Sequence, residues 1–354
     1  MVSAVNLYVA SYDGNITSLS LSQTGNGQYV LSTLSSLKSE TPDPSWLEKS
    51  GNLVFLASEN IQGPNGTVIT YKTSDTGILA QVQKPQTTPG GSSVSTYDVG
   101  SDGALSSLQT FFYNTPPGPI PQQDKSHPHQ VILDPTNKFF AVPDLGADLI
   151  RVFSIDESNR LTEQKPFSLP GGTGPRHGAF LQLGENTSQK TYFFLISELA
   201  NTVASYAVSP ADKSLDFTPI SSGNVLNQAP PKGLASAELI ISPDKKFVYT
   251  SARNAPILSI PNPSGQNNDM VPSDTLQVWK IDPNSGALSF EQLAPAGGRN
   301  PRHFSLNKNG TLAAVALQDD QRVVIFERSA DSGKLGQLLV STQVVGKLTS
   351  VIWD

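Results

Sequence analysis

Short apolar runs alternate with polar turn residues along the whole chain, and the order is plainest between residues 127 and 169. An apolar run at 131–133 leads into the turn Asp134-Pro135-Thr136-Asn137. A second run, 139–142, ends at Pro143-Asp144. A third, 149–153, mixes polar and apolar positions, and a turn at 156–159 leads to a fourth near Leu161. Runs this short, rich in Val, Ile and Phe and bounded by Pro, Asn and Asp, predict strands joined by tight turns. No stretch of about a dozen residues carries a 3.6-residue apolar period, so helices are not expected.

The same order returns in copies that open at Ser45-Trp46-Leu47, Arg176-His177-Gly178, Ala235-Ser236-Ala237-Glu238 and Pro301-Arg302-His303. A strand-type repeat of about 50 residues predicts an all-β propeller, here with four antiparallel strands per blade. The chain enters at what reads as a second strand, 7–11, and arrives at something like a first strand at 348–353. Pairing those two closes the ring without a free edge. One unit departs from the pattern. After 78–84 the chain reads Pro85-Gln86-Thr87-Thr88-Pro89-Gly90-Gly91-Ser92-Ser93 and passes straight to third- and fourth-strand patterns at 94–98 and 104–112. The two inner strands are missing, so the blade around 85–113 is expected to be truncated. A proline-rich irregular stretch, 114–126, follows it. The expectation is one propeller domain over 1–354, with six full blades and a half blade.

In such a blade the first strand begins, and the second ends, at the same end of the channel. The starts of first strands bring His127, His129, Arg176, His177, Glu238, Arg302 and His303 to that mouth. The ends of second strands add Asp144, Glu198, Arg253 with Asn254, and Gln318. All four histidines of the chain fall at this one topological position. Arginine forks there can hold carboxylates or phosphates in bidentate fashion. Glu198, or a histidine titrating near neutrality, can act as a general acid or base. Structural roles fit the same residues: Arg176 and Arg302 as blade-to-blade ion pairs with Glu198, Glu238 or Asp319, His127 and His129 as turn residues beside prolines, Asp144 and Asp148 as turn formers, Glu238 as a buried hydrogen-bonding group. His127-Pro128-His129 is a weak metal signature on its own, and no metal site is expected.

Composition narrows the rest. The net charge of −6 argues against a nucleic-acid or anionic-membrane surface. With no cysteine, disulfides, thiolate metal sites and Cys nucleophiles are excluded. Charged residues make up 15%, against roughly 25% in an average soluble protein, which leans towards an extracellular or cell-surface setting, with the cytoplasm as the alternative. No apolar run approaches the roughly 18 residues of a spanning helix, and Met1–Val5 does not read as a signal peptide. There is no G-x-S-x-G elbow, P-loop or dinucleotide fingerprint.

At His127-Pro128-His129-Gln130-Val131-Ile132-Leu133-Asp134-Pro135, Val142-Pro143-Asp144-Leu145-Gly146-Ala147-Asp148, Gly174-Pro175-Arg176-His177, Ser236-Ala237-Glu238 and Asn300-Pro301-Arg302, the chain resembles the lactonase-type seven-bladed propellers. That group includes 6-phosphogluconolactonases and fungal carboxy-cis,cis-muconate cyclases. The resemblance spans nearly the whole chain and implies a site on His129, Arg176, Glu198 and Arg253. The arginines would hold substrate carboxylates, and His129 or Glu198 would move a proton at the carbon beside a carboxylate. His127, His177, Glu238, Arg302, His303 and Gln318 would line the pocket. No metal or organic cofactor is implied, and the expected partner is a small carboxylate or lactone, with neither nucleic acid nor membrane. The leading expectation is a cyclase-like lactonising isomerase acting on a small polycarboxylate. The second is a lactone hydrolase of the 6-phosphogluconolactonase type. The third is a secreted propeller glycoprotein without catalysis, favoured by the low charge and the missing inner strands.

Overall fold

The computed structural model describes residues 4–61, 63, 65–89, 91–184, 189–263 and 269–354, with backbone alone at 88 and 89. Among these there is no α-helix; strands arrange in seven units around an axis. Blade one runs, from the axis outward, Leu348–Trp353, Val5–Ser11, Asn15–Gln23 and Tyr29–Lys38. Blade two is Pro44–Ser50, Leu53–Ser58, Asn65–Thr73 and Leu79–Gln81, with Gln86–Pro89 added beside its third strand. Blade three is only Ser93–Val99 paired with Leu105–Phe112. Blade four is Ile132–Leu133, Phe139–Asp144, Leu149–Ile155 and Leu161–Glu163, and blade five Pro175–Leu183, Lys190–Ser197, Thr202–Ala211 and Ser214–Asn224. Blade six is Ala235–Ile241, Phe247–Arg253, Thr275–Ile281 and Leu288–Pro295, carrying an extra hairpin of Leu258–Pro261 and Met270–Ser273. Blade seven is Pro301–Leu306, Leu312–Leu317, Arg322–Arg328 and Leu335–Gln343. The family-type ring, the truncated third blade and closure by Leu348–Trp353 on Val5–Ser11 are as the sequence pattern predicts.

Hydrophobic clusters lie between successive blades, so middle strands are covered on both faces. Every residue of Phe247–Arg253 is buried, which is why such strands read as continuous apolar runs rather than alternations. Blades also clasp through glutamine side chains. Gln109 of blade three accepts from Leu161 N–H (2.7 Å) and donates to Leu161 C=O (3.0 Å) of blade four. Gln292 of blade six does the same to Leu335 of blade seven, at 2.8 and 2.9 Å.

The half blade is held by packing of Val94 and Phe111 against Val142, Phe153 and Leu161 of blade four. The proline-rich stretch between them is pinned by one hub. Arg151 donates to Asp144 (2.8 Å) and Glu163 (3.1 Å), and its guanidinium stacks 3.4 Å from the centroid of the Tyr113 ring. Asp144 also accepts from Ser126 Oγ and from His127 N–H. Of the two expectations for Asp144 the turn-forming one fits, since its carboxylate accepts from Ala147 N–H at 3.2 Å; it does not face the channel mouth but is fully buried within blade four and its preceding loop.

Candidate functional site

A left-handed residue before a proline sets up each of three inner strands at the mouth. Gly174, Asn300 and Asp43 each adopt a left-handed conformation, with φ of 59°, 59° and 50°, and each precedes a proline that opens an inner strand. Glycine, Asn and Asp tolerate that region best. Immediately after each proline the ladder slips by one residue: Pro175 pairs with Ser197 but His177 with Ile196, Pro301 with Leu317 but His303 with Ala316, and Pro44 with Ser58 but Trp46 with Ala57. A β-bulge re-aims the side chain it inserts. The inserted residues are Arg176, Arg302 and Ser45. The next residue of each strand forms a second tier, to which blade four adds His129 and blade six Glu238: His129, His177, Glu238, His303 and Trp46 come together from five blades.

The tiers are in contact. Arg176 is 2% exposed; its Nε sits 2.8 Å from Glu198 Oε2 and its Nη1 donates to Ala237 C=O at 2.6 Å. Arg253 Nη2 reaches the same Glu198 oxygen at 3.0 Å. Arg302 pairs with Glu59 at 2.9 Å and lies 5.1 Å from the centroid of the Tyr12 ring. Below them His177 Nδ1 lies 2.7 Å from Glu238 Oε1, and His177 Nε2 lies 3.0 Å from His129 Nδ1. Trp46 meets the rings of His177 and His303 edge-on, with centroids 5.2 and 4.7 Å apart. His129 also lines a cleft of about 150 Å³ against Ser93, Val94 and Val142, where blade three lacks its inner strands.

The electrostatics follow from crowding cations into a largely buried space. Burial, then the neighbouring Arg176, holds His129 and His177 well below their ordinary value, so both rings are neutral at neutral pH. Burial also depresses His303, against the pull of Glu238. Burial pushes the Glu198 carboxyl up, but Arg253, Arg176 and Arg302 together outweigh it and hold it below its ordinary value. Burial raises Glu238, with His303 and Arg176 opposing. Burial and the facing Arg253 lower the Arg176 guanidinium to about 10, still charged at neutral pH. Five buried polar atoms here make no hydrogen bond within the protein: Arg253 Nε, Gln318 Nε2, Glu238 Oε2, Asn300 Oδ1 and Arg176 Nε, whose approach to Glu198 is an ion pair without hydrogen-bond alignment.

The predicted residues His129, His177, Arg176, Glu198, Glu238, Arg253 and His303 thus form one connected cluster, and Arg302 stands at its rim. His127 does not join it. Its ring turns to Asp124 at 2.7 Å: pairing in blade four begins at Pro128, which bridges to Asp144, so His127 stays in the preceding loop while His129 reaches His177. Gln318 follows the last residue of its strand, as Glu198 does. Arg302 takes Glu59 as its carboxylate rather than the predicted Glu198, Glu238 or Asp319. Trp46, Tyr12 and Glu59 were not anticipated, although Ser58-Glu59 repeats the Ser197-Glu198 dipeptide and Pro44-Ser45-Trp46 has the spacing of Pro175-Arg176-His177.

Fold and site together define a propeller with an arginine- and histidine-lined axial mouth. Residues 88–353 match the model of the lactonase, seven-bladed β-propeller family, and the chain belongs to that family. It is 29% identical over 268 residues to a probable 6-phosphogluconolactonase of Arthroderma benhamiae, covering 75% of this chain and 63% of that protein, so the chain spans less than two thirds of that relative. It is 28% identical to a 6-phosphogluconolactonase of Formosa agariphila, over 93% of this chain and 86% of the other. Among solved structures it superposes on the periplasmic gluconolactonase of Pseudomonas aeruginosa with a TM-score of 0.78 at 22% identity, over 99% of both chains, a likeness of fold.

Proposed function

We propose that the chain is a lactone hydrolase acting on a small, anionic sugar-acid lactone. The observation that carries this reading is the cluster of Arg176, Arg253 and Arg302 at one mouth, directly above a neutral imidazole, His129. Guanidiniums held in a water-poor site bind a substrate phosphate or carboxylate, and stabilise the oxyanion that forms when a carbonyl is attacked. A neutral histidine can take the proton of the attacking water. In the reaction, water oxygen bonds to the lactone carbonyl carbon as His129 accepts its proton. The ring C–O bond then breaks, and the same proton passes to the departing ring oxygen. A hydroxy acid results, and its carboxyl loses the second proton of water to solvent, which leaves a hydroxy-carboxylate.

The same pocket also suits the lactonising cyclase that leads the sequence expectations. The 6-phosphogluconolactonase names of the relatives favour ring opening over ring closure, so the hydrolase stands first. A pH-stat assay decides. Purified protein is offered 6-phosphoglucono-δ-lactone, glucono-δ-lactone and a carboxymuconate. Acid release above the spontaneous rate is expected for the phosphorylated lactone, falling about 10²-fold in kcat/KM in Arg253→Met, the loss typical of removing one oxyanion donor. Acceleration of neither lactone, with cycloisomerisation of the carboxymuconate, overturns the proposal.

A further inference from the structure

Proton positions in the buried tier can be followed from one residue to the next. His303 Nδ1 accepts from Val351 N–H at 3.1 Å, so its ring proton is on Nε2, which faces Glu238 Oε2 at 3.6 Å. Glu238 Oε1 accepts from Leu239 N–H at 2.9 Å and lies 2.7 Å from His177 Nδ1. Glu238 Oε1 thus takes a backbone N–H that offers it no lone pair, and the His303 Nε2–H dipole faces Oε2 from beyond hydrogen-bond distance, an environment that suits the ionised carboxylate despite its burial. It takes a second donor, His177 Nδ1–H. That leaves His177 Nε2 as an acceptor, and two donors point at it: Arg176 Nη1 at 3.4 Å and His129 Nδ1 at 3.0 Å. His129 then carries its proton on Nδ1, and its Nε2 is left with a free lone pair.

From this geometry we infer that Glu238 and His177 are positioning residues in series, which fix the tautomer of His129 and present its Nε2 as the base. The inference rests on the hydrolase reading for the identity of the reaction, but the tautomer pattern stands apart from it. The arrangement lengthens the usual carboxylate–imidazole pair by one ring. Glu238 sits at the buried end with 1% exposure, and His129 sits at the end that reaches the cleft. When Nε2 takes the proton of water, the new imidazolium keeps its Nδ1–H bond to His177, whose far side is already anchored by the carboxylate. No net proton leaves the relay, and the proton at Nε2 goes on to the ring oxygen. The charged groups around the relay are Arg176, Arg253 and Arg302 above, and Glu198 and Glu48. Trp46 walls it off on the opposite side of the channel.

The chain has four histidines, so ¹⁵N-histidine labelling gives four ring systems to assign. In the native protein at neutral pH, the ring nitrogen shifts of His129 are expected to show the Nδ1–H tautomer, and those of His303 the Nε2–H tautomer. Glu238→Gln can turn its amide N–H onto His177 Nδ1, which reverses the series and leaves His129 as Nε2–H. The kcat for the lactone then falls about 10²–10⁴-fold, as when a catalytic histidine is left in the wrong tautomer, with KM little changed because the arginines are untouched. Glu238→Asp recovers the native tautomer and part of kcat. An Nε2–H tautomer at His129 in the native protein overturns the inference, and that spectrum decides even if Glu238→Gln does not fold. Unchanged tautomer and kcat in Glu238→Gln overturn it as well. A protein that turns over no lactone but shows the series of tautomers refutes the hydrolase reading and leaves the relay intact.

Discussion

Replacing Glu198 with Gln asks whether the mouth is built around an anion. One Glu198 oxygen lies 2.8 Å from Arg176 Nε and 3.0 Å from Arg253 Nη2, and those side chains are only 2% and 9% exposed. Removing one partner of a fully buried ion pair costs about 3–5 kcal/mol. Glu198 keeps 22% of its side-chain exposure, so solvent screening brings the expected loss to about 2 kcal/mol. With an unfolding entropy of about 2.1 cal/mol/K per residue over 354 residues, that corresponds to a fall in Tm of about 3 °C. The two guanidiniums left facing each other then recruit an anion from solution. Inorganic phosphate at about a hundred times its Kd returns about 2.7 kcal/mol, enough to restore the native Tm. In the native protein Glu198 competes for the same two cations, so the phosphate-induced rise is smaller. Differential scanning fluorimetry over a phosphate titration at constant ionic strength reads both effects. An unchanged Tm in Glu198→Gln, or equal phosphate responses in the two proteins, refutes the view that these arginines form an anion-ready pair.

Acid should unfold the protein through its histidines. His129, His177 and His303 all sit below their ordinary value of 6.5 in the folded state, so below that pH the unfolded chain binds protons that the native state refuses. Their contribution is fully present above about pH 6.5 and is lost as pH falls towards the native values, with a slope of up to about 4 kcal/mol per pH unit for three groups. Raised Glu238 offsets part of this at the acid end. Urea midpoints measured from pH 7.5 down to pH 5 should fall steeply, and a flat profile would show that the rings charge freely when folded. Gln109→Ala removes both hydrogen bonds of one blade clasp and leaves the Leu161 amide without its side-chain partner, at a cost of about 1–3 kcal/mol. Hydrogen exchange should then speed up in 93–112 while the blades on either side of Arg176 stay protected. Uniform acceleration across the ring would show that the half blade does not open on its own.

Much of this molecule is legible in its sequence because a propeller repeats one instruction. The repeated order of turn, apolar run and polar end gave the blades. The direct passage from Pro85–Ser93 to a third-strand pattern marked the missing inner strands, and His129, His177, Glu238 and His303 fell at one place in that order. The pairings were harder to read. Trp46 and Glu59 occupy the same register as His177 and Glu198, but a Pro-Ser-Trp or Ser-Glu fragment is too common to stand out until the ladder fixes the bulge after Pro44. His127 misled for the converse reason: it looks like the first of a histidine pair, yet pairing in blade four begins at Pro128, as it begins at the proline in blades two, five and seven, which leaves His127 in the preceding loop, turned to Asp124. Asp144 misled because its partner, Arg151, comes from the third strand of its own blade, a face the pattern of apolar runs does not specify.

The closing strand also bears on how the chain is made. Val9 pairs with Val351, so the inner strand of blade one leaves the ribosome some 340 residues after its partner (351 − 9 = 342). Until then Val5–Ser11 presents a long unpaired edge, and blade seven has no neighbour on its far side, while every other blade can already assemble. Exposed strand edges are where chains pair wrongly with one another. Vectorial synthesis therefore leaves this protein most vulnerable in the interval before residues 348–353 emerge. Crowded translation or a stalled ribosome late in the message would yield an open arc with its arginine mouth incomplete, prone to swap its edge with a second nascent copy.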